Sequence, residues 1–237
     1  MENAGQKFFK KTSYCKNDLE PIEINEPMAN EPKTIGDPIE LNKPILNSQL
    51  EKIVAKRRSK RDFTDKPMTM DQLSRILWLT QGITGEIGKA KLRAVASAGN
   101  RHPFNNYVLV NNVEGLDKGI YLYEPLKETI SLVVDGDKTE IFRDACGGQK
   151  LISSCQICYI QTAVTARTTD RYRERGYRYI FIDVGHIGAQ TQLVCEDMGL
   201  GSCNVGAFMD DAVSEILHLK SEYEIPVYIT VIGDPSK

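Results

Sequence analysis

Three short stretches of the chain concentrate groups able to hold a flat ligand that carries a phosphate. The first is Arg57-Arg58-Ser59-Lys60-Arg61, at the expected end of a helix. Guanidinium groups make charge-assisted, often bidentate contacts to phosphate, each worth about 1.5–3 kcal/mol. The Ser59 hydroxyl adds a donor for a phosphate or sugar-alcohol oxygen. Cations at a helix C-terminus also complement the helix dipole, so the run by itself also reads as a charged cap on a solvated face. The second stretch is Ser97-Ala98-Gly99-Asn100-Arg101-His102-Pro103. Its small residues let backbone approach a flat ligand, and Asn100 offers donors and acceptors to a heterocyclic edge. The same residues would suit an ordinary turn. His102 has no acid or base beside it in sequence, which favours a structural or ligand-edge role over a catalytic one. The third stretch, Gly199-Leu200-Gly201-Ser202-Cys203-Asn204-Val205-Gly206-Ala207-Phe208, presents bare backbone N–H groups, or else a helix cap and connecting loop. No GxxxxGK[ST] or GxGxxG pattern occurs.

The elements that must position these stretches are legible in outline. The spacing of Ser48 and Glu51 predicts a capping box and a helix with Leu50, Ile53, Val54 and Arg57 at helical period. Thr69 and Gln72 predict a second, carrying Leu73, Ile76, Leu77 and Leu79 and stopping near Gly82. From Tyr107 onward, NNYVLVNN, GIYLYEP and TISLVVDG read as strands. CQICYIQTAV reads as a central strand because it is continuously apolar. YIFIDVGHIGAQTQLVCEDMG predicts a long helix apolar on more than one face, a core element or part of a subunit interface. A short helix opening at Asp210 or Asp211 and a final strand, PVYITVIG, complete the series. Helices and strands mix without a regular βαβ rhythm. The expectation is an α+β fold with a central, mainly antiparallel sheet flanked by helices.

Residues 1–45 differ from residues 46–237. EPIEINEPMANEPKTIGDPIELNKP holds half of the prolines and predicts an extended arm, with regular structure beginning at Ser48. Such an arm must lie on its own domain or on a partner subunit. A formal net charge of −2 over 237 residues argues against an electrostatic grip on nucleic acid. No apolar run has the length of a signal peptide or membrane span, so the default is a soluble cytoplasmic protein. Six cysteines make no disulfide framework in a chain this long. Cys155 and Cys158 have CxxC spacing, but within a strand positions three apart face opposite sides, so the thiols should diverge. With no second CxxC, no metal site is expected.

Taken in order, RRSKRDF, LSRILWLTQGIT, SAGNRHPFNNYVLV, GLDKGIYLYEP and RYRERGYRYIFIDVGHIGAQTQLVCEDMGLGSCNVGAF resemble the nitroreductase family. The similarity is greater to its SagB-type dehydrogenase branch, which includes the flavin oxidases of azoline-containing peptides. It runs from about Ile39 to Pro235, and the N-terminal KFFKKTSY and the proline-rich arm also look like that branch.

The resemblance implies a nitroreductase-like fold, a homodimer and FMN bound at the dimer interface. It implies that Arg57, Arg58, Ser59 and Arg61 hold the phosphate and ribityl chain. Ser97, Ala98 and Asn100, with Gly99 and His102 in the same loop, would reach flavin bound mainly by the other subunit. A backbone N–H in the segment matching NVGAF would point at flavin N5, with Gly206 the best match and Val205 and Ala207 beside it. A donor there tunes the cofactor that carries the chemistry. Two departures stand out. The basic C-terminal phosphate contact of many nitroreductases is absent, Lys237 being a possible substitute. The Lys-Tyr pair of the azoline oxidases is matched by Arg171-Tyr172, and an arginine stays protonated, so it cannot act as a general base. Tyr172 remains as a candidate proton donor.

The expected activity is NAD(P)H-driven reduction of a small nitroaromatic or quinone-type acceptor. The rival direction is dehydrogenation of an azoline-like peptide or other small substrate. A rival of another class is a non-catalytic flavin-binding protein.

Overall fold

The computed structural model describes residues 3–14, 35–220 and 222–236. Helix α1 spans Ala4–Thr12 and opens on a capping box: the Asn3 side chain accepts the Gln6 N–H at 2.8 Å, and the Gln6 side chain accepts the Asn3 N–H at 3.1 Å. Regular structure therefore begins before Ser48. AGQKFFKKT contains no proline, and its Phe8 and Phe9 find tertiary partners, with ring centroids 5.9 Å from Phe181 and 5.4 Å from Tyr177. Much of the proline-rich stretch lies outside the described residues. Residues 35–47 have no regular structure until Ser48, and Ile35, Ile39, Leu41 and Ile45 are 102%, 89%, 91% and 81% exposed.

Helices α2 (Gln49–Lys56) and α3 (Met70–Gln81) start at the expected capping boxes, Ser48/Glu51 and Thr69/Gln72. Strands β1 (Ile83–Ile87) and β2 (Ala90–Arg93) form a small antiparallel hairpin. There follow β3 (Phe104–Val110), β4 (Gly119–Glu124), β5 (Thr129–Asp135), α4 (Thr139–Ala145), α5 (Lys150–Ser154) and β6 (Ile157–Val164). The chain continues through α6 (Ala166–Tyr172), α7 (Arg175–Asp197), β7 (Gly201–Val205), α8 (Asp210–Ile216) and β8 (Glu224–Gly233).

The main sheet has the order β5-β4-β3-β6-β8-β7, with every neighbouring pair antiparallel. As its unbroken apolar run requires, β6 lies inside, between β3 and β8. Alternation divides its side chains between two cores. Ile157, Tyr159 and Ala163 join α3 residues Leu73, Ile76 and Leu77 and α7 residues Ile180, Val184 and Ile187. Cys158 and Ile160 face Phe142, Val213 and Ile216 on the opposite layer. The antiparallel sheet and flanking helices agree with the fold expected.

The CxxC expectation fails in its geometry. The Sγ atoms of Cys155 and Cys158 lie 3.5 Å apart. Cys155 is not in the strand; it is the extended C-cap residue of α5, so strand alternation does not govern it. Both residues are buried, and burial pushes the Cys158 thiol well above its ordinary pKa. That is the setting of an inert structural thiol.

Candidate functional site

The cationic run is laced to the sheet edge. Arg57 caps α2, its N–H donating to the Ile53 carbonyl. The chain then turns along β7: Ser59 bridges Ser202, and the Lys60 N–H donates to the Ser202 carbonyl at 3.0 Å. Approach is close because Gly201 has no side chain; a Cβ there would sit 2.9 Å from Lys60 Cβ. Thr64 N–H donates to the Asp234 carbonyl, and Ser236 N–H to that of Asp62, so the last described residues run beside the same turn. Lys237 lies outside the described residues.

Arg58, Ser59 and Arg61 are exposed and Arg57 is half-buried; none has a carboxylate partner among the described residues. Arg58 is partly committed, its Nη1 donating to the carbonyls of Ala55 at 3.0 Å and Arg57 at 2.7 Å. The helix-cap reading is thus realised at Arg58, while Arg57 and Arg61 keep their donors.

The glycine-rich stretch is not simply a loop. Gly201–Val205 is the edge strand β7, and Gly206 and Ala207 are the exposed residues leaving it. The Gly206 N–H has no acceptor among the described residues, and the space where its Cβ would stand is empty to 4 Å. Gln149 holds this exit: its Nε2 donates to the Ala207 carbonyl at 3.0 Å and to that of Cys146 at 2.8 Å. Nothing in the local sequence marks Gln149, because the contact spans 58 residues.

The SAGN loop sits elsewhere, against α7. Asp183, only 3% exposed, accepts the Ser97 hydroxyl at 2.7 Å and the Ala98 N–H at 3.0 and 3.2 Å through its two oxygens. Ser97 Oγ in turn accepts the His102 N–H at 2.9 Å. The Ser97 hydroxyl is therefore engaged on both sides, donating to Asp183 of α7 and accepting from His102. Gly99, Asn100 and His102 have φ of 58°, 56° and 43°, the left-handed region that costs residues with a side chain. The end of α6 packs on the same loop: a Cβ at Gly99 would lie 2.3 Å from the Tyr172 hydroxyl and 3.2 Å from Arg171 Nη1. Tyr172 and the SAGN loop are thus brought together. Asp183 was missed as a site residue. Its signal was a lone carboxylate on an apolar helical face, between Ile180 and Ile187, where a buried charge must have partners.

His102 is a neutral loop brace. Its Nε2 lies 2.7 Å from Asn100 Oδ1, and burial, then the Arg93 charge, lowers its pKa from 6.5 to about 4. Between those values the unfolded chain binds the proton that the folded loop rejects. Stability should fall as pH drops from 6.5 towards 4 and be flat, for this group, above 6.5. Thermal melts of His102→Gln against the parent should show a parent-specific loss across that window; equal losses would overturn the assignment.

Within the chain the cationic turn and the SAGN loop stand apart. Lys56, at the end of α2, pairs with Glu196 at 3.3 Å, whereas the SAGN loop hangs on Asp183. Those two α7 residues are about 20 Å apart at 1.5 Å per residue. The exposed α7 residues between them include Gly185 and Ala189, and Phe181 and Ile182 lie just before.

A model of the nitroreductase family matches residues 54–234. A Methanocaldococcus jannaschii protein assigned to the nitroreductases is 36% identical over 185 residues, 78% of this chain and 90% of its own. The microcin B17-processing protein of Escherichia coli is 22% identical over 147 residues, 60% of this chain and 54% of that protein. Among solved structures, a nitroreductase from Anabaena variabilis matches with a TM-score of 0.67 at 26% identity. It covers 79% of this chain, which spans only 38% of the Anabaena chain. A chain of the E. coli microcin synthetase complex with truncated pro-microcin bound matches with a TM-score of 0.73, covering 100% of this chain and 95% of its own. At 18% identity that likeness is one of fold.

Proposed function

Since the chain belongs to the nitroreductase family of oxidoreductases, we propose that it binds FMN at the junction of the cationic turn and the exit of β7. The observation that supports this reading is the Lys60–Ser202 backbone bond with the Ser59–Ser202 bridge, which brings the backbone of the cationic turn beside β7, the strand whose exit carries the unengaged Gly206 N–H. Arg57 and Arg61, with the Ser59 hydroxyl, hold the phosphate, and Arg58 contributes the donors it does not spend on α2 carbonyls. The Gly206 N–H, steadied by Gln149 through Ala207 and flanked by Val205, would be the donor towards flavin N5. These donors fit a dianionic phosphate and a ring nitrogen.

Bound FMN supplies the redox chemistry, carrying a hydride from NADH or NADPH to a quinone or nitro acceptor, with protons completing the product. Little side-chain acid–base chemistry is needed. The His102 Nε2–H is committed to Asn100, which leaves the Tyr172 hydroxyl as the proton donor nearest the SAGN loop.

We further propose a homodimer. The two half-sites of one protomer are separated along α7. Pairing α7 helices on the face with Phe181, Ile182, Gly185 and Ala189 would set the SAGN loop of one protomer against the cationic turn of the other. The outward apolar residues of segment 35–47 would gain cover in the same assembly.

The reverse flow, dehydrogenation of an azoline-like substrate, draws support from the fold likeness over the whole chain to a microcin synthetase component. Arg171 in place of a lysine argues against it. Anaerobic stopped-flow on the FMN-reconstituted protein separates the two directions. Bleaching by NAD(P)H and reoxidation by a quinone or nitroaromatic is expected. Bleaching only by an azoline peptide would reverse the assignment, and absence of flavin absorbance after reconstitution would sink both.

A further inference from the structure

The corner between α6 and α7 carries charge that the proposed flavin site does not use. Residues 167–178 include Arg167, Arg171, Arg173, Arg175 and Arg178 against only Asp170 and Glu174, in a chain of net charge −2. Both carboxylates are already engaged: Asp170 pairs with Arg101, and Glu174 accepts the Gly5 N–H at 3.1 Å. All five arginines are exposed, and none has an ion-pair partner among the described residues.

Part of this charge is held in place. The Arg171 guanidinium lies 5.3 Å from the centre of the Tyr172 ring, and that of Arg175 lies 5.9 Å from the Tyr179 ring. Those two rings meet edge to face at 4.8 Å, and Arg167 donates to Asn105 Oδ1 at 2.9 Å. Guanidinium groups braced on aromatic rings lose less freedom when they bind, and their planar forks match carboxylate and phosphate oxygens. The ladder ends on the SAGN loop, through the approach of Arg171 and Tyr172 to Gly99. Arg171 cannot take a proton from a substrate, but it can hold an anion.

We propose that this arginine–tyrosine ladder is the anion-reading wall of the substrate cleft, selecting co-substrates that bear phosphate or carboxylate groups. The inference rests on the flavin lying beside the SAGN loop. The anion has two possible sources, the phosphates of the nicotinamide reductant or a carboxylate on the acceptor, and the chemistry of recognition is the same for both.

The test uses the FMN-loaded parent and Arg171→Gln/Arg175→Gln, assayed at saturating FMN. If the reductant is read, the ratio of kcat/KM for NADPH over the phosphate-free N-benzyl-1,4-dihydronicotinamide falls at least about tenfold in the variant, the loss of at least one charge-assisted contact. If the acceptor is read, the ratio for 4-nitrobenzoate over 4-nitrobenzyl alcohol falls by that factor. Arg171→Lys should fall between, since it keeps charge and loses the fork. Calorimetric titration with NADP+ and with 4-nitrobenzoate should show the same loss of affinity. In the parent, the affected ratio should also decline as salt rises from roughly 0.02 to 0.5 M, where the Debye length shrinks to a few ångströms. Unchanged ratios in both arms, or equal losses for charged and neutral partners, would overturn the proposal. A double variant that does not fold leaves the salt series on the parent as the deciding measurement. A parent without flavin would sink the cofactor reading, while anion titration of the apoprotein would still read the ladder.

Discussion

Protein in which Arg57 and Arg61 are both replaced by Ala is expected to bind FMN at least a hundredfold more weakly than the parent. Each charge-assisted contact to the phosphate contributes about 1.5–3 kcal/mol, and about 1.4 kcal/mol is a factor of ten. Two such losses give roughly two to four orders of magnitude, less what neighbouring Lys60 restores. Arg58→Ala should behave differently, because its Nη1 is divided between the Ala55 and Arg57 carbonyls. The expected result there is a severalfold loss of FMN affinity with some fraying of α2, whose C-terminal carbonyls lose a donor. Flavin-fluorescence quenching titrations give both constants, and circular dichroism reports the helix. The phosphate assignment fails if the double variant binds within threefold of the parent. Lower affinity for FMN at high salt, with little change for riboflavin, would trace the loss to the phosphate.

How much of this site was legible depends on how local each determinant is. The capping boxes at Ser48/Glu51 and Thr69/Gln72 are complete within four residues, so the sequence alone places α2 and α3. The central position of β6 follows from its composition, since a strand buried on both faces cannot alternate. Strand β7 was not legible: GSCNV has neither the length nor the β-branched content of a strand. Its extended state is imposed by pairing with β8 and by the Ser59–Ser202 bridge. The β1–β2 hairpin has no sequence signal of its own, with Glu86, Lys89 and Lys91 exposed around Gly88. Cys155 and Cys158 misled because the helix-to-strand junction falls between them.

The candidate cofactor stretches are visible as residue types, yet their grouping is not. The contact of Gln149 with Ala207 and that of Asp183 with Ala98 join positions 58 and 85 residues apart, which only the fold brings together. The candidate residues sit on short stretches, whereas the residues that hold those stretches are scattered, Gln149 at the N-cap of α5 and Asp183 within α7.

Asp183 is the aiming residue whose removal should cost most. Its carboxylate holds the Ser97 hydroxyl and the Ala98 N–H, and through Ser97 it holds the His102 N–H. Between them these bonds keep Asn100 and His102 in left-handed backbone, each at an expense of about 1–3 kcal/mol. Asp183→Ala leaves the Ala98 N–H and the Ser97 hydroxyl without that acceptor in a buried setting, a loss of about 1–3 kcal/mol for each unsatisfied group. The loop then has reason to relax, and the contact of Gly99 with Tyr172 relaxes with it. A merely structural role predicts a lower melting temperature and nothing more. A positioning role predicts a lower melting temperature together with at least tenfold weaker FMN binding, measured well below the melt, and altered visible circular dichroism of whatever flavin remains bound. Asp183→Asn should recover part of both, because its amide oxygen still accepts the Ala98 N–H while Ser97 turns to accept from its amide nitrogen. An Asp183→Ala protein that melts early yet binds FMN within twofold of the parent would remove the SAGN loop from the flavin site. The half-site geometry behind the proposed dimer would then need another explanation.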